Sequence, residues 1–302
     1  NNVLRIGRQL GYKHGGYPNS YGQISLYLMV PANATGLGPD ANYLPTLKRG
    51  SLFGSAAGGS FTLLEDIDFS NDSVQVVVGK VNETSGIPTH YALKTIGKIV
   101  SGQSRLRQLQ VGDFQRFRRI RIGSSAISEV ISVTDSEGHE YHEVEHLSQN
   151  VVYKAIINTN ADNNIVTNVL KPVLAARRFA VERSGRSLFL QFGYGSDSEL
   201  TTQSIHDPLN ITLNMHAKEF STDKEFDPSK MLMTDKFGIC PTNTTLEVVY
   251  RENSIGKTAA AAGTVNSVSA ARFNFKNKSS TSLSKRRDVE ASLEITNDEP
   301  IT

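Results

Sequence analysis

The chain of 302 residues has a net charge of +2, with 38% hydrophobic and 21% charged residues, and is long enough for two domains with cores of their own. This charge argues neither for nor against nucleic-acid binding, and the single cysteine, Cys240, excludes an internal disulfide framework and a cysteine-rich zinc site. No apolar run reaches the roughly 18 residues of a membrane span. The chain begins with Asn1 rather than Met and ends at Thr302, so we expect it to be a segment of a longer protein.

The first residues are predicted to be helical. Apolar side chains have the spacing of one helix face at Val3, Leu4, Ile6 and Leu10. Gly11 is a natural helix end. Residues 1–22 are therefore interpreted as the end of an N-terminal helical region.

Residues 23–104 are predicted to form a first β domain. Its apolar segments are 24–30, 61–64, 74–78 and 91–100. The first of these is apolar enough to predict burial on both faces. Between the first two segments, prolines and glycines favour loops.

Residues 105–257 are predicted to form a second β-rich domain, which begins with four strands in a row. Side chains alternate with a period of two in 118–122, 127–133 and 151–157, and the HEVEH sequence between the last two completes the set. Asp135-Ser136-Glu137-Gly138 predicts a turn with Gly138 at positive φ. We expect an antiparallel meander.

The rest of the chain continues this pattern. Strands are predicted at 178–182 and 187–192, around a Ser184-Gly185-Arg186 turn, and at 211–215 and 246–250. Asp227-Pro228 predicts the start of a short helix. Residues 258–302 are interpreted as a linker, 258–263, followed by the start of a further β region. The predicted fold class is mainly β (β-rich α+β), with antiparallel meander or sandwich domains, few short helices and long loops.

The sequence HEVEH, from His142 to His146, satisfies the H-E-x-x-H signature of zinc metalloproteases. That chemistry needs a helix, on which residues i and i+4 lie close enough together to share a zinc ion. On a strand, residues four apart are separated by roughly 13 Å, which is too far for one metal. Because the segment follows a turn and leads into the β-branched Val151-Val152-Tyr153 run, we expect a strand with solvent-facing histidines and no zinc site.

A basic and aromatic segment precedes this motif. Its members are Arg116, Phe117, Arg118, Arg119 and Arg121. Such a segment could bind a nucleic-acid backbone. Alternatively, its arginines could pair across strands with the acidic hairpin that follows, which carries Glu129, Glu140, Glu143 and Glu145.

Other motifs are incomplete. Residues 254–258, SIGKT, end like a phosphate-binding loop, but the position that requires the first glycine is Arg251. Gly193-Tyr194-Gly195-Ser196 lacks the third glycine of a dinucleotide site. The sequence therefore predicts no catalytic residue, no metal ligand and no cofactor.

Seven stretches are distributed along the chain from residue 5 to residue 302. They are RIGRQLGY (5–12), VPANATGLGPDANYLPTLKRGSLF (30–53), FTLLEDIDFS (61–70), GDFQRFRRIRIGSSAISEVISVTDSEGHEYHEVEHLSQNVVY (112–153), FAVERSGRSLFLQFGYGSD (179–197), FDPSKMLMTDKFGICPTNTTLEVVYREN (226–253) and LEITNDEPIT (293–302). These stretches resemble the baseplate wedge proteins of contractile-tailed bacteriophages, the group related to Baseplate J-like proteins.

The resemblance implies a structural, non-enzymatic virion protein of the tail baseplate, assembled in the host cytoplasm. Its implied partners are other wedge and hub proteins and a second copy of itself, with no small-molecule substrate, no direct nucleic acid and no membrane. Because arginine and aromatic residues are favoured in interface cores, the segment of Arg116, Phe117, Arg118, Arg119 and Arg121 becomes a candidate interface. Charge reversal of Arg118 and Arg119 is then expected to impair wedge assembly and leave the isolated chain folded. Two rival hypotheses are a carbohydrate-binding or adhesive domain of a tail fibre and, with less support, a zinc hydrolase.

Overall fold

The computed structural model describes residues 3, 6, 7, 10–12, 18–124, 126–158, 168–184, 187–196, 237–254, 256–278 and 281–302. The predicted strand at 211–215 and the predicted helix at Asp227-Pro228 lie outside the described residues. At the N-terminus, Val3, Ile6 and Gly7 are helical, while Leu4 is not among the described residues.

The described residues form 19 strands, one α-helix and a short 3-10 turn. The strands up to the centre of the chain are β1 (Tyr21–Pro31), β2 (Pro45–Leu47), β3 (Leu52–Ser55), β4 (Ser60–Leu63), β5 (Ile67–Asp68), β6 (Gln75–Val81), β7 (Pro88–Ser101), β8 (Gln103–Val111), β9 (Arg119–Ser124), β10 (Ile127–Thr134) and β11 (Glu140–Glu143). The remaining elements are β12 (Val151–Ile157), β13 (Asn168–Leu174), β14 (Arg178–Ser184), β15 (Ser187–Phe192), β16 (Thr244–Glu252), β17 (Val265–Ala270), β18 (Phe273–Phe275), α1 (Leu283–Ala291) and β19 (Glu294–Thr296). The 3-10 turn is Ala41–Tyr43. The prediction of a mainly β fold with antiparallel sheets is confirmed.

The chain divides into two compact units. Unit 1 contains residues 1–15 and 106–250, and unit 2 contains residues 16–105 and 251–302. Residues 258–302, which the sequence predicts to start a further region, contribute β17, β18, α1 and β19 to unit 2. The reason is long-range pairing, since β17 is hydrogen-bonded to β3 and β19 to β1.

Unit 2 is built on a seven-stranded sheet in the order β17-β3-β4-β7-β1-β19, with β6 also paired to β7. The long strands β1 and β7 pair antiparallel from Tyr21↔Val100 to Pro31↔His90. Side chains alternate along β1, with Leu26 and Leu28 in the core and Tyr27 and Met29 half-buried. Burial on one face and partial cover on the other explain the strongly apolar composition of this strand.

Unit 1 contains a second seven-stranded sheet, in the order β8-β16-β10-β11-β14-β15-β9. The four strands of the predicted meander all form, as β9 to β12, but only β10 and β11 are neighbours. Instead, β9 pairs with β15, and β12 pairs with β13 in a separate two-stranded ribbon. The predicted order of pairing is therefore wrong. The β10–β11 pair is joined by a tight turn, as is the β14–β15 hairpin, which pairs down to Ser184↔Ser187 as predicted. By contrast, β9 pairs with a strand that is distant in the chain.

The turn between β10 and β11 has the predicted geometry. Gly138 has a φ of 87°, which side chains disfavour. The buried carboxylate of Asp135 accepts hydrogen bonds from the backbone N–H groups of Glu137 and His139, at 3.0 and 2.8 Å. This turn fixes the register of the hairpin that carries His142.

Candidate functional site

The basic segment is not one continuous strand. β9 begins only at Arg119, and Phe117 has a φ of 53°. This left-handed conformation turns the chain and ends the alternation that a strand requires. Arg116 and Arg118 therefore precede the strand, and the predicted stripe divides into parts with different surroundings.

Two of the arginines are engaged within unit 1. The guanidinium of Arg118 donates hydrogen bonds to the carbonyl oxygens of Gly112 and Asp113. Arg119 forms an ion pair of 2.8 Å with Glu182 of β14, and its guanidinium lies 4.0 Å from the ring centre of Phe189. The hypothesis of cross-strand pairing with the hairpin Glu129, Glu140, Glu143 and Glu145 is therefore wrong for Arg119, because β9 lies beside β15 rather than beside β10.

Arg116 and Arg121 are exposed, and neither forms an ion pair within the described part of the chain. Phe117 between them is half-exposed and packs on the rings of Tyr194 and Phe237, at centroid distances of 5.1 and 6.1 Å. Arg116, Arg121 and the outer face of Phe117 are thus the members of the predicted interface that remain available to a partner.

Sequence reasoning missed Tyr194 and Phe237. The signal that could have found them is Gly193, where a Cβ would collide with the carbonyl oxygens of Phe237 and Gly238. This close backbone approach brings the end of β15 against residues 237–240. The buried thiol of Cys240 donates to the carbonyl of Gln115, 3.2 Å away. Burial raises the pKa of Cys240, so the thiol is protonated and acts as a small packing group.

The HEVEH motif is not helical. Its first two residues lie in strand β11, and the chain then leaves the strand. β11 ends at Glu143, and His146 lies in a turn whose carbonyl accepts from the N–H of Gln149 at 2.9 Å. The prediction of a strand is confirmed for His142 and wrong for His146. The prediction of a solvent-facing side chain is wrong for His142, which is only 15% exposed, and is confirmed for His146, which is 65% exposed. Val144 is buried, and its N–H donates to the carbonyl oxygen of Phe179 at 2.9 Å, so pairing with β14 extends one residue beyond β11 before the turn. Across the described residues, no three His, Cys, Asp or Glu side chains are grouped to hold a metal ion.

A cleft of about 210 Å³ lies between β10, β11 and β12 and contains His142, Glu140 and Lys154. Glu140 forms an ion pair of 2.7 Å with Lys154 and lies 3.8 Å from Nδ1 of His142. Removal from water lowers the pKa of His142, and Lys154 adds to this effect while Glu140 opposes it. The neighbouring Glu143 has a raised pKa, chiefly because its carboxyl group is partly removed from water.

Replacing His142 by asparagine is expected to flatten the pH dependence of stability in mild acid. The wild-type imidazole resists protonation in the folded chain, whereas in the unfolded chain it protonates near pH 6.5. Its contribution to stability is therefore complete above about pH 6.5 and decreases as the pH falls through the lowered pKa. Urea unfolding between about pH 5 and pH 7.5 measures this slope.

The matched variant Glu143→Gln is expected to change the slope of the free energy of unfolding against pH in the opposite direction. A carboxyl group with a raised pKa contributes most to stability below its ordinary pKa and less as the pH rises through the raised one. The Gln variant should therefore gain stability relative to wild type towards neutral pH. Equal slopes in both variants would contradict these assignments.

The incomplete phosphate-binding sequence is a turn. The N–H of Lys257 is hydrogen-bonded to the carbonyl of Ser254 at 3.1 Å, and Gly256 has a φ of 75°. Ile255 is not among the described residues. No helix within the described ranges is long and apolar enough to cross a membrane.

Comparison with known proteins does not assign the chain to a family. No protein-family model matches the chain, and no curated protein matches it significantly. The class that the structure defines is a mainly β protein of two units with exposed strands.

Proposed function

We propose that the chain is a non-enzymatic structural component of a phage tail baseplate, which contributes to the wedge and ring around the tail hub through protein–protein interfaces. Its partners would be other wedge and hub proteins and a second copy of itself. The proposal combines the sequence resemblance with one structural observation, the exposed β12–β13 ribbon of unit 1.

One face of this ribbon is apolar and uncharged. It carries Val151, Tyr153, Ala155, Leu170, Pro172 and Leu174, which the register places on the same side. Tyr153 is 69% exposed and Leu170 66% exposed. None of the side chains whose exposure is described in these strands is buried, and no other strand in the described residues pairs with them.

A two-stranded ribbon is only marginally stable by itself in water. An exposed apolar face on such a ribbon is typical of an interaction surface. A ring built from repeated contacts needs broad surfaces of this kind rather than one deep pocket. The ribbon therefore supports an assembly function over a catalytic one.

Immunogold labelling of intact tailed particles tests the proposal, with antibodies raised against the purified 302-residue chain. We expect gold at the distal end of the tail, arranged around the central tube. Gold confined to the fibres would favour the adhesive alternative, and gold on the head or an absence of label would contradict a baseplate role.

Charge reversal of the two available arginines is expected to impair incorporation into wedges. The variant Arg116→Glu/Arg121→Glu places two acidic side chains in the proposed interface without breaking an internal ion pair. We expect at least a tenfold loss of incorporation, measured by quantitative pull-down with the wedge proteins of the same phage, as two desolvated charges of the wrong sign cost several kcal/mol.

The matched control is Lys278→Glu/Arg287→Glu, which makes the same change of charge at two exposed residues of unit 2. Equal incorporation of both double variants would remove the arginines from the interface. Arg118 and Arg119 are unsuitable for this test, because their internal contacts predict that charge reversal also lowers the stability of unit 1.

A further inference from the structure

Strand β6 is an open edge of the sheet in unit 2. It is hydrogen-bonded to β7, and within the described ranges no strand lies on its other side. Val76, Val77 and Val78 are 46%, 61% and 52% exposed. Consecutive residues point to opposite faces, so the strand exposes valines on both faces and a row of backbone N–H and C=O groups along its edge.

The inner face of β6 continues the core of unit 2. Val76 lies opposite Leu93 of β7, and Val78 lies opposite Tyr91. Leu93 and Tyr91 are buried, at 1% and 9% exposure, while their partners on β6 are half-exposed. The apolar layer therefore reaches the edge strand without being covered there, and one more strand would extend both the sheet and the core.

Edge strands are usually protected against such pairing by proline, charge or irregular geometry. In β6 that protection is confined to the end of the strand, where the register with β7 shifts on both sides of Lys80. Residues 75–78 are regular, uncharged and free of proline. They form the section that can accept another strand.

We propose that β6 pairs antiparallel with β6 of a second copy of the chain. The inference does not depend on the baseplate assignment, since it follows from the edge strand alone. The occupant must be a strand, because only a strand satisfies a row of alternating N–H and C=O groups.

The charges of β6 favour its own copy as that strand. In a two-fold symmetric antiparallel pair, residues opposite each other point to the same face. A register centred on Val77 meets this condition, with Val77 opposite Val77 of the copy and Val76 opposite Val78. The same register places Lys80, the one charged residue in the strand, opposite Val74. No like charges meet, and valine packs on valine.

The symmetry also limits the assembly. A contact between identical strands is isologous and closes as a dimer, whereas a contact between β6 and a different edge strand, such as β17, would continue without closing. With about six residue pairs in the contact, the buried area falls below the roughly 1,000 Å² of a stable interface. We therefore expect a weak dimer, with a dissociation constant between about 10 µM and 1 mM.

Sedimentation equilibrium of the full chain tests the proposal between about 5 µM and 1 mM. The wild type should dimerise, and Val77→Lys should raise the dissociation constant at least tenfold, because the symmetric contact would then enclose two added cations. The control is Val268→Lys on β17, where Val268 is 38% exposed; this change should leave the constant unaltered. A wild type that stays monomeric at 1 mM, or a dimer equally insensitive to both changes, would overturn the proposal.

Cysteine cross-linking identifies the paired strands. The native Cys240 is buried, so oxidation of Val77→Cys alone, and of Val76→Cys mixed with Val78→Cys, reports on engineered thiols. A disulfide between two copies of position 77, or between positions 76 and 78, supports β6 self-pairing, since Cα atoms must lie within about 7 Å. A disulfide between Val77→Cys and Val268→Cys would overturn it in favour of a head-to-tail contact, as would the absence of any cross-link.

Discussion

Replacing Arg178 by methionine is expected to lower the free energy of unfolding of unit 1 by about 3 kcal/mol. Arg178 is fully buried, at 0% exposure. Its Nε and Nη1 atoms donate hydrogen bonds of 2.7 Å to the carbonyl oxygens of Leu147 and Ala175. Methionine conserves much of the packing volume but leaves both carbonyls without these donors.

The position of Arg178 explains why the effect should be large. Its guanidinium joins the loop after β11 to the end of β13, and its own strand, β14, pairs parallel with β11. Parallel strands have no tight turn between them, so a side chain that holds their connecting segments takes over part of that function. Lysine should rescue little, because its single ammonium lacks the planar fork that reaches both carbonyls.

Urea unfolding and amide hydrogen exchange measure the loss. The matched control is Arg121→Met on β9, which removes an exposed arginine and should change stability by less than about 0.5 kcal/mol. Exchange of the amides in residues 141–147 should accelerate about a hundredfold in the Arg178 variant. Equal stability of the two variants would show that the buried guanidinium is only filling space.

Arg178 also marks the limit of prediction from sequence. The alternation of apolar side chains locates most strands, including β1, β7, β10 and β15, because that period is a local property of the chain. Arg178 begins a correctly predicted strand, but its burial depends on carbonyl groups from two other segments. A local pattern contains no information about those distant acceptors.

The prediction of which distant strands pair fails for the same reason. The turn at Asp135–Gly138 fixes β10 against β11 because both strands are adjacent in the chain. By contrast, β9 finds β15 and β1 finds β19 across long separations, where side-chain complementarity decides the register. The prediction of one continuous basic strand fails in a similar way. The positive φ of Phe117, which no local pattern reveals, places Arg116 and Arg118 outside β9.

The second large effect is expected at Asn297 of unit 2, where alanine should lower the free energy of unfolding by about 3 kcal/mol. Asn297 is fully buried. Its Oδ1 accepts from the N–H of Val265 at 2.9 Å, and its Nδ2 donates to the carbonyls of Ala261 and Glu299 at 2.8 and 2.9 Å. The buried amide of Val265 at the start of β17 would lose its acceptor.

Asn297→Asp separates hydrogen bonding from packing. Aspartate has nearly the same shape and keeps an oxygen for Val265, but it presents a second oxygen to the carbonyls of Ala261 and Glu299. Two donor bonds then become repulsive contacts in a buried site, so the Asp variant should be destabilised at neutral pH at least as much as the Ala variant. Asn266→Ala on the exposed side of β17 is the control, with an expected change below about 0.5 kcal/mol. If Asn297→Asp unfolds at the same urea concentration as wild type, the two bonds donated to Ala261 and Glu299 do not stabilise this junction.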